Sequence, residues 1–265
     1  MVQKEVNIVQ PKKQPKPENT LDDYKDGDET TTDIWCTPEQ MFDTTHLNLW
    51  NNDISVIEGL SKFPNLLRLT LRSNEIKNLY GVSDCKNLRW LDVSDNDVNS
   101  LKGLEGMSSL EWLDVHNNEF KSLDGMGILP QLTFLNMRHS DLRNLIGIGQ
   151  TLPRIRYIDV SSNDLTTIRG LESCTYLTEI NLNSNDLKDF NEICPLLRLP
   201  YLKRLDISNN LFSKKAISNL KKIAANTNSN LEIICNSTIA NASSSGTGGT
   251  ANMSTNNSDG CCLVQ

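Results

Sequence analysis

Between residues 44 and 235 the apolar positions recur in one fixed frame. LLRLTLRSN (66–74), LRWLDVSDN (88–96), LEWLDVHNN (110–118), IRYIDVSSN (155–163), LTEINLNSN (177–185) and LKRLDISNN (202–210) superimpose without gaps. The frame closes on Asn52, Asn74, Asn96, Asn118, Asn163, Asn185 and Asn210, with Ser140 in the fifth position. The spacings are 22, 22, 22, 22, 23, 22 and 25 residues. A period of this size is the mark of a repeat architecture of eight units. Inside each unit the L-x-L alternation predicts a short strand with alternate side chains buried. Leu69 with Leu71, Leu91 with Val93, and Leu113 with Val115 face inward. The closing Asn can satisfy backbone groups where the chain turns off the strand. Ser140 has less hydrogen-bonding capacity, which predicts a looser turn over 138–142.

The return half of the unit repeats as well. Gly59, Gly81, Gly103, Gly125, Gly147 and Gly170 each precede an apolar residue: Leu60, Val82, Leu104, Met126, Ile148 and Leu171. So short a segment has room only for a brief helical or 3-10 turn. Cys85 and Cys174 occupy the apolar position of Phe63 and Met107, which predicts small buried hydrophobes rather than metal ligands. The seventh unit departs from the pattern: its return, DFNEICPLLRLPY, is longer and lacks the Gly. A stack of such units needs polar covers over its ends. Thr37-Pro38-Glu39-Gln40 reads as a capped helix start, with Met41 and Phe42 covering the first unit. Ser213 can cap a helix over 214–225 with Ile217, Leu220 and Ile223 on one face. Leu231 and Ile233 suit a closing strand.

These units resemble the SDS22-like class of leucine-rich repeats, with 22-residue units and an I-x-x-I-x-G-L return. The resemblance covers residues 44–235. It implies an α/β repeat fold: a leucine-rich-repeat solenoid with a concave parallel β-sheet and short convex turns. It also implies a protein partner on the concave face. The best-known members regulate a serine/threonine phosphatase, so a phosphatase catalytic subunit is one partner it implies. The organisation reads as a disordered polar arm (1–33), an N-terminal cap (34–43), repeats (44–212), a C-terminal helix and strand cap (213–235), a flexible Ser/Asn/Gly linker (236–260) and a lipidation tail (261–265).

Composition changes this picture in three ways. The net charge of −7 argues against a general nucleic-acid binder, which needs a basic surface to release counterions. The seven cysteines (Cys36, Cys85, Cys174, Cys194, Cys235, Cys261 and Cys262) are an odd set, and the first residues lack the apolar segment of a secretory signal. Together these point to free thiols in the cytoplasm. The final Cys262-Leu263-Val264-Gln265 fits the C-a-a-X prenylation motif, with Cys262 the acceptor and terminal Gln favouring farnesyl. One prenyl chain binds membranes only marginally. Residues 223–265 hold no Lys or Arg to help it, so Cys261 is the natural palmitoylation site. The lysines of the C-terminal cap are a weaker substitute.

The residue just before the first buried strand position runs His46, Arg68, Trp90, Trp112, Phe134, Tyr157, Glu179, Arg204. Trp90, Trp112, Phe134 and Tyr157 thus fall on neighbouring strands and form a candidate partner-binding strip. The same row could instead serve to stack and stabilise the sheet. Flanking positions add Asp92, Asp114 and Asp159 in one column and Arg72, His116 and Arg138 in another. His116, His139, Arg138 and Asp114 could cluster, but no histidine has metal-ligand spacing and no phosphate loop is present. The reading is a non-enzymatic adaptor without a cofactor, held by its lipid at the inner face of a membrane. The alternatives are a phosphatase regulatory subunit and a soluble scaffold.

Overall fold

The computed structural model describes residues 38–227 and 230–235. Thr37, Cys36, the arm, the linker and the lipidation tail with Cys261 and Cys262 lie outside the described residues.

Nine three-residue strands form one parallel sheet in strict sequence order. They are β1 (His46–Asn48), β2 (Arg68–Thr70), β3 (Trp90–Asp92), β4 (Trp112–Asp114), β5 (Phe134–Asn136), β6 (Tyr157–Asp159), β7 (Glu179–Asn181), β8 (Arg204–Asp206) and β9 (Glu232–Ile234). Eight come from the repeats, and β9 is the closing strand predicted around Ile233. Register follows the repeat frame, so Trp90 pairs with Trp112 and Leu91 with Leu113. The middle residues Leu69, Leu91, Leu113, Leu135, Ile158, Ile180 and Leu205 are at most 1% exposed. Each unit buries this face only because its neighbour stacks on it, which makes the fold a one-dimensional array.

The returns are built as expected in four units: 3-10 turns at Leu60–Lys62, Tyr80–Asp84 and Leu171–Ser173, and a single α-turn, α2 (Ile148–Thr151). The units carrying Gly103 and Gly125 differ. They return through turns without a helical element. The cause is a second left-handed glycine in each, Gly106 (φ 80°) and Gly127 (φ 67°). A left-handed residue cannot continue a right-handed 3-10 turn. In the irregular seventh unit two 3-10 turns, Phe190–Glu192 and Leu196–Arg198, fill the longer path. Asp189 caps the first by accepting from Asn191 N–H.

The asparagine ladder is present and specific. Asn118 Oδ1 accepts from Val98 N–H at 2.9 Å. Its Nδ2 lies 3.0 Å from both Val93 O and Val115 O. Asn74, Asn96, Asn163, Asn185 and Asn210 make the same bridge between successive units. The residue before each rung is left-handed throughout, including His139 (φ 51°) and Ser162 (φ 54°). The turn at Ser140 is therefore not looser. Asn163 Oδ1 still holds the Ser140 and Leu142 amides at 3.1 Å, so the neighbouring rung preserves the backbone. The cost at Ser140 falls on hydrogen bonding: its buried hydroxyl has no partner among the described residues.

Both caps form, with two corrections. In α1 (Pro38–Asp43) Met41 is buried, but Phe42 is 59% exposed. Neighbouring residues on a helix point about 100° apart, so a single turn can cover the core with only one of them. In α3 (Lys214–Thr227) the inward stripe is Ile217, Leu220 and Ala224, while Ile223 lies outside it at 39% exposure. Ser213 Oγ accepts from Ala216 N–H at 3.1 Å, as a capping serine should.

Candidate functional site

In-register parallel pairing sets neighbouring side chains one strand spacing apart, about 4.8 Å. Flat rings in one column must then stack. Trp90 and Trp112 lie 4.3 Å apart between centroids, Trp112 and Phe134 4.8 Å, and Phe134 and Tyr157 4.6 Å, with planes within 12° of parallel. The four rings are half-buried. Their faces cover one another, and their edges form the open side of the strip. The rings stack along the sheet and leave an aromatic ridge on its concave side.

The aspartates are more buried. Asp92, Asp114 and Asp159 are 8–9% exposed. Each folds its Oδ1 onto the residue two positions on: Asp92 accepts from Ser94 N–H and Oγ–H, and Asp159 from Ser161 N–H and Oγ–H. Asp114 does the same with His116, whose Nδ1 is 2.6 Å from Oδ1. The second oxygen of two of them reaches the next strand, where Asn136 donates to Asp114 at 3.1 Å and Asn181 to Asp159 at 2.8 Å. These carboxylates therefore form a buried polar row beside the aromatic ridge. Burial, followed by the charge of Asp114, leaves Asp92 raised above the ordinary carboxylate value, against the pull of the Ser94 bonds. Burial, then Asp159 and Glu179, pushes the Tyr157 phenol up to about 12.

On the other flank Arg72 Nε meets Asp95 Oδ2 at 2.8 Å, and Asn117 Nδ2 donates to the same carboxylate. Burial opposes ionisation there, yet these bonds hold Asp95 below its usual value. Arg138 is exposed beyond His116. The Asp114 hydrogen bond raises the His116 pKa above 6.5; burial and Arg138 oppose it, and Asp95 assists. The folded state therefore holds that proton more tightly than the unfolded chain does. The resulting stability is complete below pH about 6.5 and is lost as pH rises through the higher folded value. The wild-type melting temperature is expected to fall across that window relative to a His116→Gln variant. Parallel melting profiles from pH 6 upward would refute the coupling.

Sequence reasoning missed a second aromatic pair. Tyr176 and Tyr201 stack at 6.2 Å on the loops entering β7 and β8, and are 49% and 56% exposed. The signal was the repeated T-Y-L and P-Y-L at 175–177 and 200–202. Burial pushes the Cys85 and Cys174 thiols up to about 12, so both act as small core residues. Among the described residues no His, Cys, Asp and Glu group could hold a metal, and no helix is long and apolar enough to cross a membrane.

Comparison with known proteins bears on the fold. The leucine rich repeat family model matches residues 44–98. No curated protein matches the sequence significantly. Internalin C2 of Listeria monocytogenes is a similar solved structure, with TM-score 0.66 and 22% identity over 76% of this chain and 84% of its own. A leucine-rich-repeat protein of Leptospira interrogans is also similar, with TM-score 0.53 and 19% identity over 74% of this chain and 62% of its own. Solenoids of this kind present extended concave surfaces to protein partners. The repeat model over 44–98, the nine-strand ladder and these structures agree on one architecture: the chain has the fold of a leucine-rich-repeat solenoid.

Proposed function

We propose that the chain is a non-enzymatic adaptor. It holds a protein partner on its concave face while a prenyl group on Cys262 tethers it to the cytoplasmic side of a membrane. The observation that carries the binding half is the ridge Trp90–Trp112–Phe134–Tyr157. Four half-exposed aromatic rings on four adjacent strands, bordered by Arg72, His116 and Arg138, have the makeup of an interface anchor with a polar rim. Support for the anchor comes from the C-a-a-X pattern of Cys262-Leu263-Val264-Gln265 and from Cys261 as a neighbouring acylation site.

Affinity capture with wild type and with Trp90→Ala/Trp112→Ala, followed by mass spectrometry, tests the binding half. Equal recovery of the partner by both forms would refute the site. A phosphatase catalytic subunit as the partner would make the chain a regulatory subunit. Fractionation of cells expressing Cys262→Ser tests the tether. The wild type is expected in the membrane fraction and the variant in the soluble one; membrane association retained by the variant would remove the anchor.

A further inference from the structure

The last helix carries a feature that partner binding on the concave face does not use. α3 reads KKAISNLKKIAANT, with four lysines and no acidic residue. Leu220 and Ala224 are each 1% exposed, and Ile217 packs beside them. At about 100° per residue, Lys214, Lys215 and Lys222 fall within a sector of about 100° turned away from that stripe, while half-buried Lys221 borders it. Ser218 and Ala225 lie between them. Lys214, Lys215, Ser218, Lys222 and Ala225 are all exposed.

The elements packed against α3, the 3-10 turns Phe190–Glu192 and Leu196–Arg198, hold their carboxylates in bonds of their own. The Glu192 carboxylate accepts from Thr167 Oγ1–H and Ile168 N–H and lies 3.5 Å from Arg169 Nε. Asp189, next to it, is taken by Asn191. Arg198 is exposed and adds to the field. Residues 193–231 hold Arg198, Lys203, Arg204, Lys214, Lys215, Lys221 and Lys222 against Asp206 alone, in a chain of net charge −7.

We infer that the lysine face of α3 is a docking surface for a bilayer carrying anionic lipid headgroups. Lysine is a compact point charge without the planar fork that reads a defined anion geometry. A sector of lysines around Ser218 and Ala225 suits a diffuse plane of negative charge, and it lacks the aromatic anchors of a protein interface. The end of the chain fits the same occupant. Cys235 follows β9 directly after α3, and Cys262 stands 27 residues further on. That distance lets a lipid on Cys262 and the lysine face rest on one bilayer. This extends the tethered reading by supplying the second signal that a single lipid chain needs.

The test uses the full-length chain without lipid, so it does not depend on prenylation. Sedimentation with phosphatidylserine-containing vesicles and with phosphatidylcholine vesicles is compared at low and high salt. Binding is expected only to the anionic vesicles and should weaken with salt. Lys214→Gln/Lys215→Gln/Lys222→Gln should lower it on the order of a hundredfold, about fivefold for each lysine, with an unchanged melting temperature. Equal binding to both vesicles, no binding to either, or unaltered binding by the triple variant would overturn the inference. So would capture of single-stranded RNA in preference to anionic vesicles. Loss of the Cys262 tether in cells would leave this result standing, and the reverse also holds.

Discussion

Replacing Asn118 with alanine is expected to lower the unfolding free energy by about 2–6 kcal/mol, since orphaning a buried polar group costs roughly 1–3 kcal/mol. Two buried backbone groups lose their partners. Val98 N–H donates to Asn118 Oδ1, and Val115 O accepts from Asn118 Nδ2. Val93 O is less affected, because Asn96 Nδ2 also serves it at 3.0 Å. Val115 O has no such second rung, because the residue that would supply it is Ser140. The ladder is thus thinnest at this point. The reverse change follows from the same geometry. Ser140→Asn supplies an acceptor where the other rungs take the amide twenty residues back, here Phe120, and a donor for Val115 O. It should raise stability by about 1 kcal/mol, or roughly 2–4 °C in melting temperature. Denaturant titration of both variants checks the pair. An Asn118→Ala loss below about 1 kcal/mol, or a destabilised Ser140→Asn, would show that the ladder does not carry the backbone.

The second large effect concerns the aromatic ridge. Trp90→Ala/Trp112→Ala is expected to weaken partner binding on the order of a thousandfold, since a buried aromatic anchor contributes about 2–4 kcal/mol when truncated. Stacking makes the two positions interdependent. Removing Trp112 exposes faces of both Trp90 and Phe134, which lie 4.3 and 4.8 Å from it. The double variant should therefore cost less than the sum of the two singles. Some loss of fold stability is expected too, about 0.5–1.5 kcal/mol for each broken ring pair. Binding must accordingly be measured well below the melting transition of each variant. A double-variant affinity within threefold of wild type would remove the ridge as the anchor.

Much of this molecule was legible in its sequence because the information was periodic. The 22-residue frame named the strands, their register and the inward residues, and it placed Trp90, Trp112, Phe134 and Tyr157 in one column. A side-chain period of two leaves one choice of buried face once one face must be apolar. The closing asparagines and the capping Ser213 were legible for the same reason, since each does a local hydrogen-bonding task.

Tertiary structure alone decided what depends on contacts between units. Whether the aspartates beside the ridge are open or buried turned on Oδ1 folding back to Ser94, His116 and Ser161, which no spacing reveals. The turn at Ser140 kept its shape because Asn163, 23 residues on, holds it. Phe42 and Ile223 are apolar, yet each falls outside the stripe that its helix turns to the core. The missing 3-10 turns after Gly103 and Gly125 came from the handedness of Gly106 and Gly127, a backbone state that composition permits but does not require. Periodicity specifies which residues meet the core and which form the ridge; packing between successive units specifies how their polar atoms are satisfied, and that is where the aspartate row and the weakest rung were set.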